Sequence, residues 1–167
     1  SGNDVIVHTA GNLVIDGGGG VDTYSATGFT AAQLSISIAP TGWVVFSAPD
    51  GGATLKRFTY ITLAGSTIQI SGKSLYQNNT DGTAVVSTFN IAGQPYTGTI
   101  YSYDTTGHAV SVEFQGVTGQ PFVDYEYFYN SGQYTGATYS YNSSGTPYST
   151  YQIHTDASGF ISSEIFN

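Results

Sequence analysis

The sequence predicts an all-β fold in two parts, on three observations. The opening residues repeat with a period of nine, which places glycines at Gly2, Gly11 and Gly20. Most later segments alternate apolar and polar residues, which is typical of half-buried strands. In the second half, glycines recur every eleven to fourteen residues, where hairpin turns are expected. We therefore expect parallel strands with a capping hairpin in residues 1–70, and an antiparallel β-meander sheet or open barrel in residues 71–167.

The composition limits the classes of partner. The chain has 167 residues, 40% of them hydrophobic, so it can form a core and differs from a disordered tail. It carries 3 Lys and Arg against 11 Asp and Glu, for a net charge of −8. Nucleic acid and anionic membrane surfaces attract basic side chains, so this composition argues against both partners. No apolar run is long enough to predict a membrane span.

The absence of cysteine excludes disulfides and thiol chemistry. No signal peptide is visible at the beginning of the sequence, and the first residue is not Met. We therefore expect a C-terminal piece of a longer protein, with upstream domains in the same polypeptide.

Each nonapeptide of the opening combines a short strand with a glycine-rich turn. The strands V-I-V, V-I-D and T-Y-S each place their middle residue on one face. Two positions after each repeat glycine comes Asp4, Leu13 or Asp22. Glycine allows the tight turn and leaves carbonyl groups accessible, and calcium prefers carbonyl and carboxylate oxygens. The pattern therefore indicates a calcium site at the turns.

Two of these nonapeptides are expected to complete one coil, which brings Asp4 and Asp22 to face a common ion. Leu13 stands in place of the carboxylate in the middle repeat, so we count one site and not a series. The alternative is a glycine-rich turn without a metal. The predicted metal-binding residues are Asp4, Asp22, Gly2, Gly17, Gly18 and Gly20.

Residues 17–25, GGGGVDTYS, resemble the calcium-binding nonapeptide G-G-x-G-x-D-x-U-x of RTX proteins, also called the haemolysin-type calcium-binding repeat. The resemblance implies a parallel β-roll at the end of a bacterial protein that type I export secretes to the extracellular space. It further implies a non-enzymatic module that folds on extracellular calcium and caps the β-roll. The ending 162–167, SSEIFN, resembles the acidic and hydrophobic end of many type I export substrates, and a plain final strand explains it equally.

The run Asp22-Thr23-Tyr24, the hairpin over 34–47 and the spaced residues Leu55, Phe58, Ile61 and Leu63 resemble the capping segment that ends RTX arrays. Gly65-Ser66-Thr67 stands in place of the usual acidic DGT of that segment. A hairpin is predicted in this segment. Residues 33–38 alternate as a strand does, residues 40–42 form a turn, and residues 43–47 form the second strand. Apolar residues between 55 and 63 and the run 66–70 predict further strands. A cap is needed because an open roll exposes its last strand edges. We expect Trp43 to fill the core beneath this cap.

From Ser71 onward the chain is rich in Tyr and Gly, and twelve of its fourteen tyrosines lie from Tyr76 onward. N/D-x-x-G turns divide it into hairpin units of about thirteen residues. One such turn is predicted to end at Gly145. Strands are predicted near 85–90, 95–103, 109–114, 121–129, 134–141, 147–155 and 160–166.

In each of these strands every second residue is more apolar, so we expect one face of the sheet to be buried and the other to be solvated. In the last strand, Ile161 and Ile165 are predicted to lie on the apolar face. Tyr125, Tyr127 and Tyr139 belong to the same face. Rows of tyrosine suit a thin core, and they would also suit a platform that stacks on sugar rings. The alternative function is therefore a module that binds a polysaccharide or a cell surface.

No group of residues predicts an active site. His8, His108 and His154 fall in different units, and we expect each at a turn or on a strand surface. Asp124 and Glu126 lie two apart on one strand, which favours an acidic stripe over a glycosidase pair. The sequence therefore predicts a protein that is not an enzyme.

Overall fold

The structure, a computed structural model, describes residues 2–142 and 146–167. It is all-β, as predicted, with sixteen strands and one short 3-10 helix among the described residues. The chain divides into two compact units, one up to Gly82 and one from Thr83. Within the described ranges, no helix is long and apolar enough to cross a membrane.

The first unit contains nine strands in two sheets. They are β1 (Val5–Val7), β2 (Gly11–Asp16), β3 (Thr23–Ala26), β4 (Ser35–Ile38), β5 (Val44–Ala48), β6 (Gly51–Lys56), β7 (Tyr60–Leu63), β8 (Ser66–Ser71) and β9 (Ser74–Asn79). One sheet has the order β1-β3-β7-β8-β9, and the other has the order β2-β6-β5-β4.

Parallel pairing winds the opening strands into a coil. Val5 of β1 lies opposite Thr23 of β3, an offset of 18 residues, or two nonapeptides. β3 then pairs in parallel with β7, and β2 pairs in parallel with β6 in the other sheet. The first three strands therefore alternate between the two sheets, and one coil holds two repeats, as predicted.

The predicted hairpin is confirmed as β4 and β5, which pair antiparallel with Ile36 opposite Phe46. β5 continues antiparallel into β6, so the hairpin extends the sheet that contains β2. After β7 the chain changes to antiparallel pairing through β8 and β9. The sequence analysis did not predict β9.

The core of the first unit lies between the two sheets. Tyr24, Phe46, Leu55 and Ile61 are each no more than 1% exposed. The prediction that Trp43 fills this core is wrong, because Trp43 is 40% exposed and Lys56 Nζ lies 4.0 Å from its ring centroid. Strand alternation explains the difference: Val44 and Phe46 point inward, so their neighbours point outward.

The second unit is an antiparallel meander in which each strand pairs with the next. Its strands are β10 (Ala84–Thr88), β11 (Gly98–Tyr103), β12 (Ala109–Gln115), β13 (Phe122–Asn130), β14 (Gln133–Tyr141), β15 (Thr150–Thr155) and β16 (Ile161–Phe166). Each corresponds to one of the seven predicted strands. The predicted turn at Gly145 lies outside the described residues. The sheet stays open, because β10 and β16 are not paired with each other.

The faces of the meander differ from the prediction in two respects. None of the nine residues of β13 is buried, so the apolar face is half-buried and not fully covered. In β16, Phe166 lies opposite Tyr151 and shares the tyrosine face, whereas Ile165 lies opposite Gln152 on the other face. The predicted parity of Ile165 is therefore wrong. The register shift beside His154 is a local irregularity that alternation alone does not reveal.

Candidate functional sites: a buried aspartate and an aromatic ladder

Asp22 is a fully buried carboxylate at the corner between β2 and β3. Its Oδ1 atom accepts a hydrogen bond from the Asp4 backbone amide at 2.9 Å. Its Oδ2 atom is also buried and has no hydrogen-bond partner. A Cβ atom on Gly17 would lie 2.8 Å from this Oδ2 atom and 3.0 Å from the carbonyl oxygen of Arg57. The unpartnered oxygen therefore lies in a space that only a glycine leaves open.

Strand pairing on both sides fixes the backbone of Asp22. The Thr59 and Tyr60 amides donate to its carbonyl oxygen at 2.9 and 3.1 Å. The next residue, Thr23, donates to the Asp4 carbonyl at 2.8 Å. The backbone of Asp22 is therefore held between β1 and the segment that leads into β7. A buried carboxylate oxygen without a partner is costly, and such a group usually has a functional or ligand-related cause.

The predicted glycines gather at the same corner. Gly2 donates to the Gly19 carbonyl at 3.0 Å, and Gly18 donates to Asp16 Oδ1 at 3.1 Å. Gly20 has φ of +125°, and a Cβ there would lie 2.1 Å from the Gly2 carbonyl oxygen. These contacts bring consecutive coils so close that a side chain at Gly20 would not fit.

Asp4 lies directly beside Asp22, but the predicted contact through its carboxylate is not the one that the structure shows. It contacts Asp22 through its backbone amide, and it is itself exposed. No three His, Cys, Asp or Glu side chains among the described residues form a metal cluster. A calcium ion at this corner would therefore depend on Asp22 together with backbone carbonyl oxygens, which are hard oxygen ligands of the kind that calcium accepts.

Two asparagines that the sequence analysis missed link the coils. Asn3 Oδ1 accepts the Val21 amide at 2.9 Å, and Asn12 Oδ1 accepts the Gly52 amide at 3.1 Å. The two asparagines are nine residues apart, each directly after a repeat glycine. The repeated Gly-Asn pair was the signal that could have revealed them. At the corner where Leu13 replaces the carboxylate, Asn12 supplies the link between strands.

The side chain of His8 is buried, so its predicted surface position is wrong. Its side chain is 5% exposed. Its Nδ1 atom lies 2.6 Å from Tyr24 Oη, and its Nε2 atom lies 3.0 Å from Asp50 Oδ1. Burial, together with the nearby charge of Asp50, raises the pKa of Tyr24. The signal in the sequence was Tyr24 itself, since a tyrosine at an inward position needs a partner for its hydroxyl group.

This network holds the hairpin to the coil. His8 follows β1, Tyr24 lies in β3, and Asp50 lies in the turn between β5 and β6. Tyr24 has no exposed surface, so it cannot contact a substrate. The other two histidines lie where they were predicted, on the surface: His108 in a turn beside Thr106, and His154 on β15.

An aromatic ladder crosses five strands of the meander. Its rings lie directly opposite one another in neighbouring strands, with interplanar angles between 16° and 26°. The ring centroids are 4.5 Å apart for Phe114–Tyr125, 6.2 Å for Tyr125–Tyr139, 5.9 Å for Tyr139–Tyr151 and 4.6 Å for Tyr151–Phe166. Cross-strand aromatic pairs of this kind stabilise a sheet that lacks a deep core.

The ladder contains two of the three predicted platform residues. Tyr125 and Tyr139 each have a stacked ring on both sides, so their faces are turned to other rings. Tyr127 meets the edge of Tyr134 at 5.9 Å. Burial raises the pKa of Tyr139 to about 12, and a hydrogen bond to Glu164 raises that of Tyr151 to about 12.

The opposite face of the meander is acidic. Glu113 of β12 lies directly opposite Glu126 of β13. Asp124 accepts the Gly116 amide at 2.8 Å, which fixes the chain after β12. Like charges that face each other across a strand pair are destabilising, so this face gains from solvation. Asp124 and Glu126 form an acidic stripe on an open sheet.

A scan against models of protein families, a search of curated proteins and a search of solved structures found no match to this chain.

Proposed function

We propose that this chain is a non-enzymatic calcium-binding module at the C-terminal end of a secreted, RTX-like protein. The single observation that carries the proposal is the buried Oδ2 atom of Asp22, which has no partner and faces the bare Cα of Gly17. A divalent cation between this oxygen and nearby carbonyl groups would satisfy the carboxylate and join two coils. Asp22 is the residue that would hold the ion, with carbonyl oxygens of the glycine-rich corner around it.

Calcium binding would couple the folding of the coil to its location. An ion that binds only the folded state stabilises it by RT ln(1 + [Ca]/Kd), about 2.7 kcal/mol at a hundredfold excess over Kd. Calcium is scarce in the cytosol and abundant outside the cell. The chain would therefore stay unfolded during type I export and fold after secretion, and the hairpin and following strands would cap the roll.

The free edges of the coil support a role at the end of a longer roll. β1 and β2 lie at the ends of their sheets. Val5, Val7 and Val14 on these strands are 68%, 66% and 71% exposed. One further coil stacked on β1 and β2 would cover these valines and pair the free backbone groups. We therefore expect upstream domains that end in coils of the same kind.

Calorimetric calcium titration tests the proposal directly. The wild-type chain should bind calcium saturably with a measurable heat, and Asp22→Asn should show no binding heat. Gly17→Ala should also lose binding, because its Cβ would occupy the space beside Oδ2. Asp104→Asn, in a meander turn, is the matched control, since it removes the same charge and should bind as the wild type does. Absence of binding by the wild type, or full binding by Asp22→Asn, would contradict the proposal.

Binding of a polysaccharide or cell surface through Tyr125, Tyr127 and Tyr139 stays a prediction. Stacking on a sugar ring needs an open ring face, and the faces of Tyr125 and Tyr139 meet other rings. The ladder geometry therefore gives this function less support than the coil gives calcium binding. A glycan array with the wild type and Tyr127→Ala tests it, because a platform would lose its signal in the variant.

A further inference from the structure

A cleft on the first unit gathers the basic residues of an acidic chain. It has a volume of about 510 Å³, and the residues that form its walls and rim include Asp16, Trp43, Lys56, Arg57, Phe58 and Ile70. The chain has only three basic residues, and two of them line this cleft. The third, Lys73, directly follows Gly72, which also lines it. The cleft is therefore a cationic region on a chain whose net charge is −8.

Strand pairing places three of these side chains next to one another. Asp16 of β2 lies opposite Lys56 of β6 in a parallel pair. Val44 of β5 lies opposite Leu55 of β6 in an antiparallel pair, so Trp43 comes next to Lys56 on the other side. An acid, a base and an aromatic ring therefore follow one another across three neighbouring strands.

The ammonium group of Lys56 is held by an aromatic ring and is not neutralised by a carboxylate. Its Nζ atom lies 4.0 Å from the Trp43 ring centroid, which is a cation–π distance. Within the described part of the chain, Lys56 takes part in no salt bridge. Asp16 pairs instead with Arg57, whose Nε and Nη2 atoms donate to it at 2.8 Å. Lys56 therefore presents a positioned cation whose N–H groups can donate to a ligand.

Arg57 supplies a second donor from an uncommon backbone conformation. Its φ is +56°, in the left-handed region that residues other than glycine rarely adopt. Residues held in this region cost stability, and they are concentrated at functional sites. Its Nη1 atom forms no hydrogen bond to the described residues, since Nε and Nη2 make the contacts with Asp16. The guanidinium group can therefore donate to an anion while it still contacts Asp16.

We infer that this cleft binds a uronic acid unit of an acidic sugar, with the ligand's carboxylate at Lys56 and Arg57. Ammonium and guanidinium groups both form charge-assisted hydrogen bonds with a carboxylate. Trp43, which is 40% exposed, and the apolar side chain of Ile70 suit the C–H face of a sugar ring. A small inorganic anion would leave that apolar surface without a contact. The volume of the cleft is in the range of ligand-binding sites, and the inference does not rest on a calcium ion at Asp22.

Fluorescence of Trp43 tests the inference in the 167-residue chain, because Trp43 is its only tryptophan. At a fixed calcium concentration, titration with trigalacturonate should change the emission saturably. The neutral methyl ester of the same trisaccharide should bind roughly tenfold more weakly, because it lacks the charge that the two cations recognise.

Two variants should change the affinity in opposite directions. Lys56→Gln should raise the Kd for trigalacturonate roughly tenfold, because it removes a charged donor. Asp16→Asn should lower the Kd roughly threefold or more, because it removes the carboxylate that competes with the ligand for Arg57. A gain in affinity of this kind is not expected if the cleft residues only stabilise the fold.

Asp104→Asn is the matched control, because it removes the same charge from an exposed turn of the meander. It should bind as the wild type does, and circular dichroism should report native β structure in every variant. A wild type whose emission does not respond to trigalacturonate overturns the inference, and so does equal affinity for the methyl ester. An Asp16→Asn variant that binds no more tightly than Asp104→Asn also overturns it. A tri-aspartate peptide that binds as tightly as trigalacturonate would overturn the assignment to a sugar.

Discussion

The two units cover their apolar surface in different ways. In the coil, two sheets face each other, and Tyr24 and Phe46 are almost completely removed from water. In the meander, no residue of β13 is buried, and the rings of the ladder shield one another. In a closed core a polar atom without a partner is costly, whereas a half-exposed face lets tyrosine hydroxyl groups meet water. The unpartnered oxygen of Asp22 therefore calls for a ligand, whereas the tyrosine hydroxyl groups of the ladder can bond to water.

The largest expected effect comes from replacing one tyrosine in each unit. Tyr24→Ala should lower the free energy of unfolding of the coil by about 3–5 kcal/mol, because it leaves a cavity in a closed core and removes the hydrogen-bond partner of His8 Nδ1. Tyr139→Ala should cost the meander only about 1–2 kcal/mol, since its ring is half-exposed and mainly loses stacking. Denaturant unfolding monitored separately in the two units checks the difference. Equal losses would mean that the two regions are packed alike.

A second comparison uses glycines with positive φ. Gly20→Ala should cost the coil about 2–4 kcal/mol, because its Cβ would lie 2.1 Å from the Gly2 carbonyl and φ is +125°. Gly107→Ala has open space around it and a φ of +83°, so it should cost the meander only about 1 kcal/mol. Thermal unfolding of both variants measures this. A mild Gly20→Ala would show that the coils do not approach as closely as described.

Alkaline pH should loosen the meander before it affects the coil corner. The pKa values of Tyr139 and Tyr151 are about 12 in the fold, above the ordinary value of 10.0. A pKa that is raised on folding contributes stability below the unfolded pKa, and this stability is lost as the pH rises through the folded value. Stability of the meander should therefore fall between about pH 10 and pH 12. Tyr139→Phe should weaken the dependence, and a titration of tyrosinate absorbance with circular dichroism would record both.

The smallest expected effect comes from the exposed ion pair of the coil. Arg57 donates two hydrogen bonds of 2.8 Å to Asp16, and this contact lowers the pKa of Asp16. Both side chains are exposed, so water and salt screen the pair. Asp16→Asn should change the melting temperature barely measurably, and the change should vanish in high salt. A large loss would indicate that the Gly18 amide, which also donates to Asp16 Oδ1, depends on the carboxylate charge.

Much of the fold follows from local signals in the sequence. The nonapeptide period predicted the 18-residue offset between β1 and β3 because one repeat specifies one strand and one turn. The meander strands followed from their turns, in which Asp104 accepts the amides of Thr106 and His108 within the turn itself. Signals of this kind depend only on residues close in sequence, so a pattern is enough to predict them.

The errors arise where distant residues decide. The His8 ring packs against Phe29 and Phe46, which come 21 and 38 residues later, and alternation near His8 carries no trace of these contacts. Trp43 points outward because the next residue, Val44, points into the core. A shift of one residue along the strand would exchange the two faces, and the sequence alone does not fix that shift. Ile161 and Ile165 lie on different faces because the register shifts by one residue between His154 and Thr155. The residues of the candidate corner could be predicted from the sequence. The burial of Asp22 could not, because it depends on residues as distant as Arg57 and Thr59.

Residue-resolved hydrogen exchange with calcium and after chelation tests the central claim most directly. If calcium closes the coil corner, the amides of Asp4, Thr23 and Thr59 should exchange about a hundredfold more slowly at a hundredfold excess of calcium over its Kd. Amides between β13 and β14 should exchange at the same rate in both conditions. Equal protection of the coil amides with and without calcium would contradict the account, and so would a change of the same size in the meander.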